Sequence, residues 1–277
     1  MKKITYVTAL LNIKRDQLES PSFNRPFKRY LDTLSHLLRH MGNNNMVIYI
    51  EDEHAEFVRN IKPNNIIIKS LSTEEIRKSE YFEKIQKIRT TDEWRNQVGW
   101  LKESTQANLE LYNPLIFQKI HWLDEVSNDN PFNSEYFMWI DAGLSRFFGE
   151  HGVSTLNPYP SDSAVDTLKE NKDSVLIQTS MSYYPDLVNA DVCSEDYFWD
   201  ARTWIMAGLW GGGAEVLTKF CDMMDEVLQE KMLKNGVINN EQNAMAYLYK
   251  NNDDMFVVFE NYAHMHRQYE IIAELSK

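Results

Sequence analysis

The stretch SEYFMWIDAGLSRFFGE, residues 134–150, contains an apolar run that ends in an acidic residue. Residues 136–140 predict a buried strand, because the run is short, apolar and rich in aromatic side chains. Asp141 ends the run, and the small residues Ala142 and Gly143 leave room for a ligand to approach the backbone. A carboxylate held beside a buried strand loses solvation unless it meets a cation or hydroxyl groups. The stretch therefore predicts a functional site at Asp141; the alternative is an aspartate that only caps the next turn.

Short apolar runs alternate with helical patterns along the whole chain. Strands are predicted for the runs ITYVTALL, MVIYIE, NIIIKSL, SVLIQTSM and MFVVFE, in addition to YFMWIDAG. Helical patterns cover residues 27–40, and a series of them extends through Ile85 and Leu101 to Val126. Another helix is predicted from about Ala214 to Leu233, and a short one after Asn239. This alternation is typical of an α/β fold in which helices flank a mixed, mostly parallel sheet.

The size and charge of the chain restrict its class. It has 277 residues, 43% of them hydrophobic, and can therefore bury one large core. No repeat, low-complexity tract or linker divides the sequence, so we predict a single domain over residues 1–277. The formal net charge of −12 is spread along the chain, without the basic patch that nucleic-acid binding requires. A nucleic-acid partner is not expected.

Three patterns bear on the location of the protein. The opening MKKITYVTALLNIKR is predicted to be a buried strand and not a signal peptide, because its apolar part is short and interrupted. No stretch approaches the roughly 18 apolar residues of a membrane span. Cys193 and Cys221 lie far apart, without the spacing of a disulfide framework or a zinc site. We expect a cytoplasmic protein, associated at most with the inner face of the membrane.

A second candidate site is the segment WGGG before a helix. Three consecutive glycines allow close approaches that other residues forbid, and Gly211, Gly212 and Gly213 are expected to form a turn into that helix. Trp210 could offer an apolar platform to a sugar, or it could belong to the core. The glycines match neither a dinucleotide-binding nor a Walker motif, so they are not specific for phosphate.

The third candidate site is the segment GVINNEQ. Gly236 is expected to end one helix, and Asn239 or Asn240 to begin the next. Glu241 and Gln242 then fall in the first turn, where an acid can simply answer the helix dipole. Glu241 gains a functional interpretation only if the fold brings it to another site.

Two further groups of side chains could bind metal or phosphate. His264 and His266 would face the same side of an extended segment, and one of them could bind a metal together with Asp141. Basic residues are scarce in this acidic chain. The candidates for diphosphate contacts are Arg15, Arg25, Lys119, Arg146 and Arg202.

In the segments YFMWIDAGLSRFF, IMAGLWGGGAEVLTKF and GVINNEQNAMAYLY the chain resembles the bacterial HtrL/YibB-like family, which includes WlaTC-type proteins of surface-polysaccharide loci. The likeness extends from YVTALLNIKR through FVVFENY. It implies a GT-A-like nucleotide-diphospho-sugar transferase domain, with a nucleotide-binding half at about residues 1–145 and an acceptor-binding half at about residues 146–277. It also implies a hexosyltransferase that moves a sugar from a nucleotide-sugar donor, UDP-linked, to a glycan or glycolipid of the lipopolysaccharide, capsule or O-antigen type.

The order of motifs is also similar to that of the retaining α-galactosyl and blood-group transferases, in which a strand-end DxD precedes a GG turn and a later acid. On this comparison Asp141 matches the first acid of DxD, and Glu241 matches the acid on the catalytic side. Gly211 and Gly212 match the turn. Gly143 stands where those enzymes carry the second acid, a direct metal ligand, which puts metal dependence in question.

The resemblance also implies a role for each candidate residue. The nucleotide and its diphosphate would lie against Thr8, Ala9, Leu10, Arg15, Lys119, Asp141, Gly143 and Arg146. The sugar or acceptor would contact Trp210, Gly211, Gly212, Gly213, Asn240 and Gln242. Glu241 would be the base of an inverting enzyme, or would stabilise the glycosyl cation of a retaining one. Mn²⁺ or Mg²⁺ would be bound by Asp141 with His264 or His266, and diphosphate and water would complete the coordination.

Two other interpretations stay open. The glycine at position 143 is compatible with a non-catalytic nucleotide-sugar-binding or scaffold protein of a polysaccharide locus. Nucleotidyl transfer on a related sheet is a second alternative, but it normally needs a glycine-rich loop after the first strand. The segment VTALLNIKRDQ contains no glycine.

Overall fold

A computed structural model of the chain describes residues 4–151, 164–180, 184–194 and 196–261. The strands within these ranges are β1 (Ile4–Leu10), β2 (Asn45–Ile50), β3 (Ile66–Ser70), β4 (Tyr136–Ile140), β5 (Val175–Ser180), β6 (Leu209–Gly213) and β7 (Phe256–Asn261). The α-helices are α1 (Phe27–His40), α2 (Ala55–Ile61), α3 (Thr73–Arg77), α4 (Phe82–Arg89), α5 (Asp92–Arg95), α6 (Thr105–Asn108), α7 (Tyr112–Asp129), α8 (Ala164–Glu170), α9 (Pro185–Val188), α10 (Ala214–Glu226) and α11 (Glu241–Asn251).

The described strands form one sheet in the order β3-β2-β1-β4-β6-β5-β7. The pairs β3-β2, β2-β1, β1-β4 and β5-β7 are parallel, whereas β6 runs antiparallel to both of its neighbours. The predicted α/β class, with a mixed and mostly parallel sheet flanked by helices, is confirmed. Strands from both predicted halves of the chain belong to this one sheet. Among the described helices, none is long and apolar enough to cross a membrane.

Strand β4 shows how the sheet divides the core into two layers. Successive side chains of a strand point to opposite faces. Phe137 and Trp139 accordingly enter the layer that contains α7 and α10, whereas Met138 and Ile140 enter the layer that contains α1 and α8. All five residues of β4 are buried, as expected of a central strand with helices on both faces.

The predicted glycine turn is wrong, because Gly211, Gly212 and Gly213 lie in β6, next to β4. The need for glycine there is steric. A Cβ at Gly211 would collide with the Phe137 carbonyl oxygen and lie 2.7 Å from the Met138 Cα. One at Gly212 would lie 2.7 Å from the Ser174 carbonyl oxygen. The glycines let an antiparallel strand pack closely within the sheet.

The long helix predicted from Ala214 to Leu233 is regular only to Glu226. It continues as a π-helical turn over Val227–Met232 and a 3₁₀ turn over Leu233–Asn235. Gly236 then takes a left-handed conformation with φ of 70°, which agrees with its predicted role as a helix stop.

Replacing Gly211 tests the steric account of β6. We expect Gly211→Ala to lower the free energy of unfolding by about 1–3 kcal/mol or more, because backbone atoms of β4 must move to admit the new methyl group. Gly99→Ala is the matched control, since nothing lies within 4 Å of its Cβ position. Urea unfolding of both variants measures the difference, and equal stabilities would contradict the account.

Candidate functional site

The carboxyl ends of β1 and β4 are the point at which the strand order reverses. From β1 the chain builds β2 and β3 on one side of the sheet, and it then returns to place β4 on the other side. In open α/β sheets a crevice forms outside such a pair of parallel strands, and ligands bind there. Asp141, the first residue after β4, lies at this edge.

A cavity of about 260 Å³ occupies this crevice. Its wall combines the end of β1 with the loop after β4 and the first turns of α1 and α7. The lining includes Ala9, Leu10, Asn12, Phe27, Tyr30, Tyr112, Asp141, Gly143 and Phe147, with the basic residues Arg15, Arg25 and Arg146. The cavity is thus apolar and aromatic, with cations and one carboxylate at its edge.

Arg15 and Arg25 place two guanidinium groups at the same cavity. The Arg15 side chain donates hydrogen bonds to the Tyr30 hydroxyl at 2.7 Å and to the Phe23 carbonyl oxygen at 3.1 Å, which fix its direction. Burial lowers the pKa of Arg15, and the neighbouring charge of Arg25 lowers it further. An arginine stays protonated in proteins despite such shifts. Two cations held together in this way favour an anionic ligand.

Asp141 is held by its own strand while its side chain faces the cavity. Its Oδ1 accepts a hydrogen bond of 2.8 Å from Nε1 of Trp139, two residues earlier on the same face of the strand. Its carbonyl oxygen accepts one of 2.9 Å from the Leu144 backbone, so the aspartate also belongs to a turn. The side chain is 41% exposed. Asp141 can therefore both take part in the turn after β4 and contact a ligand in the cavity.

Lys119 joins Asp141 to Glu241. Its Nζ, on α7, lies 3.0 Å from Oδ1 of Asp141 and 3.0 Å from Oε1 of Glu241, the first residue of α11. The same ammonium lies 5.6 Å from the ring centre of Trp139, within the range of a cation–π contact. One cation thus connects the sheet with two helices.

Burial and charge act in opposite directions on this group. Burial alone would lower the pKa of Lys119, but the carboxylates of Asp141 and Glu241 outweigh it, and the net effect raises that pKa. Burial raises the pKa of Glu241, and the attraction of Lys119 opposes this rise only in part. Lys119 is therefore a fixed positive charge, whereas Glu241 binds a proton more readily than an ordinary glutamate.

The segment before α11 fixes the position of Glu241. Nδ2 of Asn239 donates to the Asp200 carbonyl oxygen at 2.7 Å, and Nε1 of Trp94 donates to the Ile238 carbonyl oxygen at 2.6 Å. Asn113, on α7, donates to the Asn239 carbonyl oxygen at 3.2 Å. These bonds attach the start of α11 to α5, to α7 and to the segment that contains Asp200. The Glu241 side chain is only 4% exposed and lies behind Lys119, outside the cavity wall.

Several predicted residues lie away from the cavity. Thr8 is fully buried in β1, whereas Ala9 and Leu10 line the cavity. Trp210 has 1% of its surface exposed and packs edge-on against Phe220, so it offers no platform to a sugar. Residues 211–213 lie inside the sheet.

Three predicted polar residues also lie outside the cavity lining. Arg202 pairs with Asp186 at 2.9 Å and with Asp200 at 2.6 Å, so its guanidinium is engaged by carboxylates and not directed to a diphosphate. Asn240 and Gln242 flank Glu241 and do not line the cavity. Their proposed contacts with substrate stay predictions.

The described residues alone do not make a metal site at the cavity. Oδ1 of Asp141 already accepts from Trp139 and faces Lys119, and the second nearby acid, Glu241, also faces Lys119. Gly143 contributes no ligand atom. His264 and His266 lie outside the described residues, so binding of Mn²⁺ or Mg²⁺ by Asp141 with either histidine stays a prediction.

Comparison with known proteins identifies the family. A family model described as "Bacterial protein of unknown function (HtrL_YibB)" matches residues 2–269. The chain belongs to the HtrL_YibB family. The resemblance stated from the sequence is thereby confirmed. No curated protein matches this HtrL_YibB chain by sequence.

Solved structures resemble the HtrL_YibB chain only distantly. A 4-diphosphocytidyl-2C-methyl-D-erythritol synthase from Anaerococcus prevotii has a TM-score of 0.37 at 10% identity, covering 99% of this chain and 94% of that one. Mouse xyloside xylosyltransferase 1 has a TM-score of 0.41 at 10% identity, covering 100% and 93%. GlyE, a glycosyltransferase of Streptococcus pneumoniae, has a TM-score of 0.41 at 10% identity, covering 94% of this chain and 46% of that one. Likeness at this level carries no argument about activity.

Removing the Lys119 ammonium tests the buried network. Lys119→Met leaves Glu241 buried without a cation, and we expect the free energy of unfolding at pH 8 to fall by about 3–5 kcal/mol. Burial then holds the pKa of Glu241 above its unfolded value, so the folded state binds the extra proton and stability falls as pH rises above roughly 4.3. The loss should therefore be smaller at pH 5 than at pH 8.

Two further variants serve as controls in urea unfolding. Lys28→Met removes an exposed i,i+4 partner of Asp32 and should cost under about 1 kcal/mol. The double variant Lys119→Met/Glu241→Gln should recover part of the loss, because it removes the stranded charge. A loss that is independent of pH and unchanged in the double variant would contradict the network.

Proposed function

We propose that this HtrL_YibB protein is a glycosyltransferase that uses a nucleotide-sugar donor, UDP-linked, and a surface-glycan acceptor. The observation that carries the proposal is the cavity at the ends of β1 and β4, where Asp141 and a set of arginines meet at the reversal of the strand order. Lys119 does not line this cavity, but its ammonium contacts Asp141 at the cavity and connects it to Glu241.

The lining of the cavity suits a nucleoside diphosphate. Aromatic rings of Phe27, Tyr30 and Phe147 offer apolar surface to a base, beside the end of β1. Arg15 and Arg25 supply guanidinium groups, which bind phosphate oxygens through paired hydrogen bonds. In this proposal Asp141 accepts a hydrogen bond from a ribose hydroxyl, a partner that would compensate for its partial desolvation.

The transfer step needs positive charge where the leaving group departs. The bond from the anomeric carbon to the diphosphate oxygen breaks, the acceptor hydroxyl oxygen bonds to that carbon, and its proton must be removed. Negative charge grows on the diphosphate during this step, and a preorganised cation nearby stabilises it. Arg15 and Arg25, which line the cavity, supply that charge in the proposed mechanism, and Lys119 fixes the position of Asp141 beside them. If a divalent cation binds with the donor, it adds Lewis-acid stabilisation of the same charge.

Glu241 acts through Lys119 in this proposal. Its carboxylate is 4% exposed, lies 3.0 Å from the ammonium and does not line the cavity. The burial of Glu241 favours a positioning role over direct contact with the acceptor. Its action as the base, or as the stabiliser of a glycosyl cation, is the competing prediction from the family resemblance. The two roles differ in how the effects of substitutions combine.

Substitution of Glu241 tests the mechanism. We expect Glu241→Gln to lower turnover about a hundredfold or more while UDP binding stays close to normal, because the neutral amide no longer holds Lys119. Release of nucleoside diphosphate measures turnover, and calorimetry measures binding. Glu215→Gln, an exposed first-turn glutamate of α10, is the control and should be unaffected. A Glu241→Gln enzyme with near-normal turnover would remove Glu241 from the mechanism.

A double variant separates the two roles of Glu241. If Glu241 acts through Lys119, Lys119→Met/Glu241→Gln should be no slower than Lys119→Met alone. If Glu241 is itself the base, the two losses should multiply.

Binding of donor to the cavity is tested at Arg25. We expect Arg25→Ala to weaken UDP binding by about tenfold or more, because a charge-assisted contact to phosphate is worth roughly 1.5–3 kcal/mol. Arg59→Ala, an exposed arginine of α2 outside the cavity, should bind UDP normally. Equal loss in both variants would indicate a non-specific charge effect and contradict the proposed pocket.

A donor screen tests the reaction itself. Nucleoside-diphosphate sugars are offered with glycan acceptors, and release of the diphosphate is followed before and after chelation and with added Mn²⁺. Transfer from at least one UDP-sugar is expected. Specific binding without turnover toward any acceptor would favour the non-catalytic alternative, a nucleotide-sugar-binding or scaffold protein, for which the glycine at position 143 is the supporting observation.

A further inference from the structure

A second cluster of reactive side chains lies between α7 and α10, apart from the cavity. His121 is on α7, two residues beyond Lys119, while Cys221 and Asp225 are on α10. Residues four apart in a helix share one face, so the thiol and the carboxylate both point toward α7. Spacing along the chain could not reveal this group, because its members come from two distant helices.

The distances within the cluster are short. Sγ of Cys221 lies 3.5 Å from Nδ1 of His121, and Oδ1 of Asp225 lies 3.1 Å from Nε2 of the same ring. One ligand atom from each of the three residues can be chosen so that all lie within 4.8 Å of one another. In a tetrahedral zinc site, metal–ligand bonds of about 2.0–2.3 Å place the ligand atoms roughly 3–4 Å apart. A metal binds one nitrogen of an imidazole ring, whereas Cys221 contacts Nδ1 and Asp225 contacts Nε2, so one of these two side chains must move toward the nitrogen that binds the metal.

The chemistry of the three groups selects the class of metal. A thiolate and an imidazole favour Zn²⁺ over the harder Mg²⁺ and Ca²⁺, and a carboxylate completes a set that zinc accepts. His121 and Asp225 have 33% and 30% of their side chains exposed, whereas Cys221 is buried. The cluster is therefore open to solvent on one side, so an ion can enter and a water can take the fourth position.

The surrounding helices keep the three groups together. Oγ1 of Thr218 lies 2.7 Å from Oδ1 of Asp124, a hydrogen bond that joins α10 to α7 about one turn from the cluster. The ring of His121 thus lies between the thiol and the carboxylate, which are both brought to it by α10.

We propose that His121, Cys221 and Asp225 bind one Zn²⁺-class cation between α7 and α10. The ion crosslinks the helix that carries Lys119 to the helix that follows β6. It stabilises the fold by mass action, since the unfolded chain does not hold these ligands together. The proposal does not depend on the proposed transferase activity.

Cobalt titration tests the proposal on the full-length protein. Purified protein is stripped of metal, reduced and titrated with Co²⁺, which reports a thiolate ligand through a thiolate-to-cobalt charge-transfer absorption. We expect saturation at one Co²⁺ per chain, displacement of Co²⁺ by Zn²⁺, and a higher melting temperature with Zn²⁺. Absence of the charge-transfer band at millimolar Co²⁺ would overturn the proposal.

The two cysteines of the chain supply a matched pair of variants. Cys193→Ser, at an exposed position remote from the cluster, should bind Co²⁺ normally. Cys221→Ser should lose the charge-transfer band, and its affinity for Zn²⁺ should fall by at least about tenfold, the lower bound for disturbing a metal's surroundings. Normal binding by Cys221→Ser would overturn the proposal.

Two further variants distinguish loss of metal binding from loss of folding. Asp225→Asn changes a partly exposed ligand with little change in volume, and it should also lose affinity while its circular dichroism spectrum stays normal. It decides the matter if Cys221→Ser does not fold, and normal Zn²⁺ binding by a folded Asp225→Asn would overturn the assignment. Asp141→Asn should leave Co²⁺ binding intact. Binding of one Co²⁺ per chain without a charge-transfer band, and its loss in Asp141→Asn, would place the metal at the cavity and overturn the proposal.

Discussion

The buried ammonium of Lys119 is the interaction on which the arrangement of the site depends. It lies 3.0 Å from a carboxylate at the end of β4 and 3.0 Å from a carboxylate at the start of α11. Glu241 is buried and would be costly to bury alone, Asp141 is partly desolvated, and a single cation pairs with both. The position of α11 relative to the sheet is thus fixed by charge as well as by apolar packing. Any change in Lys119 must affect both the fold and the cavity.

The antiparallel strand β6 makes this arrangement of Lys119 and the two acids possible. It lies between β4 and β5 only because its glycines remove the side chains that would collide with the neighbouring backbone. The chain then enters α10 directly, and α10 packs on α7, the helix that carries Lys119. The glycines therefore contribute to the site at a distance, by setting how closely the layers approach. The glycines act on packing within the sheet, whereas the sequence pattern predicts a turn that approaches a ligand.

Local patterns predicted much of the fold because their causes are local. The helix over Phe27–His40 was predicted at both ends, and Pro26 and the left-handed Gly42 explain why it starts and stops there. The role of Asp141 as the terminus of a buried strand followed from apolar runs and small residues. By contrast, the pairing of Lys119 with both acids joins positions far apart in the chain, and no single-sequence periodicity encodes it. The hydrogen bond from Trp139 to Asp141 had a local signal, since residues two apart share a face of a strand.

The glycine at position 143 changes the meaning of the site once Lys119 is taken into account. In the transferases whose order of motifs the sequence resembles, the second acid at this place is a direct metal ligand. Here the neighbouring aspartate already faces an ammonium, and nothing lies within 4 Å of the Cβ position of Gly143. An ammonium and a divalent ion 4 Å apart would repel by about 8 kcal/mol at an effective dielectric constant near 20, but Asp141 and Glu241 offset the charge of Lys119. Oδ1 of Asp141 already contacts Lys119 and Trp139, and glycine at position 143 adds no carboxylate beside it, so the residues that line the cavity offer little to a divalent ion. The proposed mechanism therefore assigns the charge that meets a donor diphosphate to Arg15 and Arg25, which line the cavity without needing a metal.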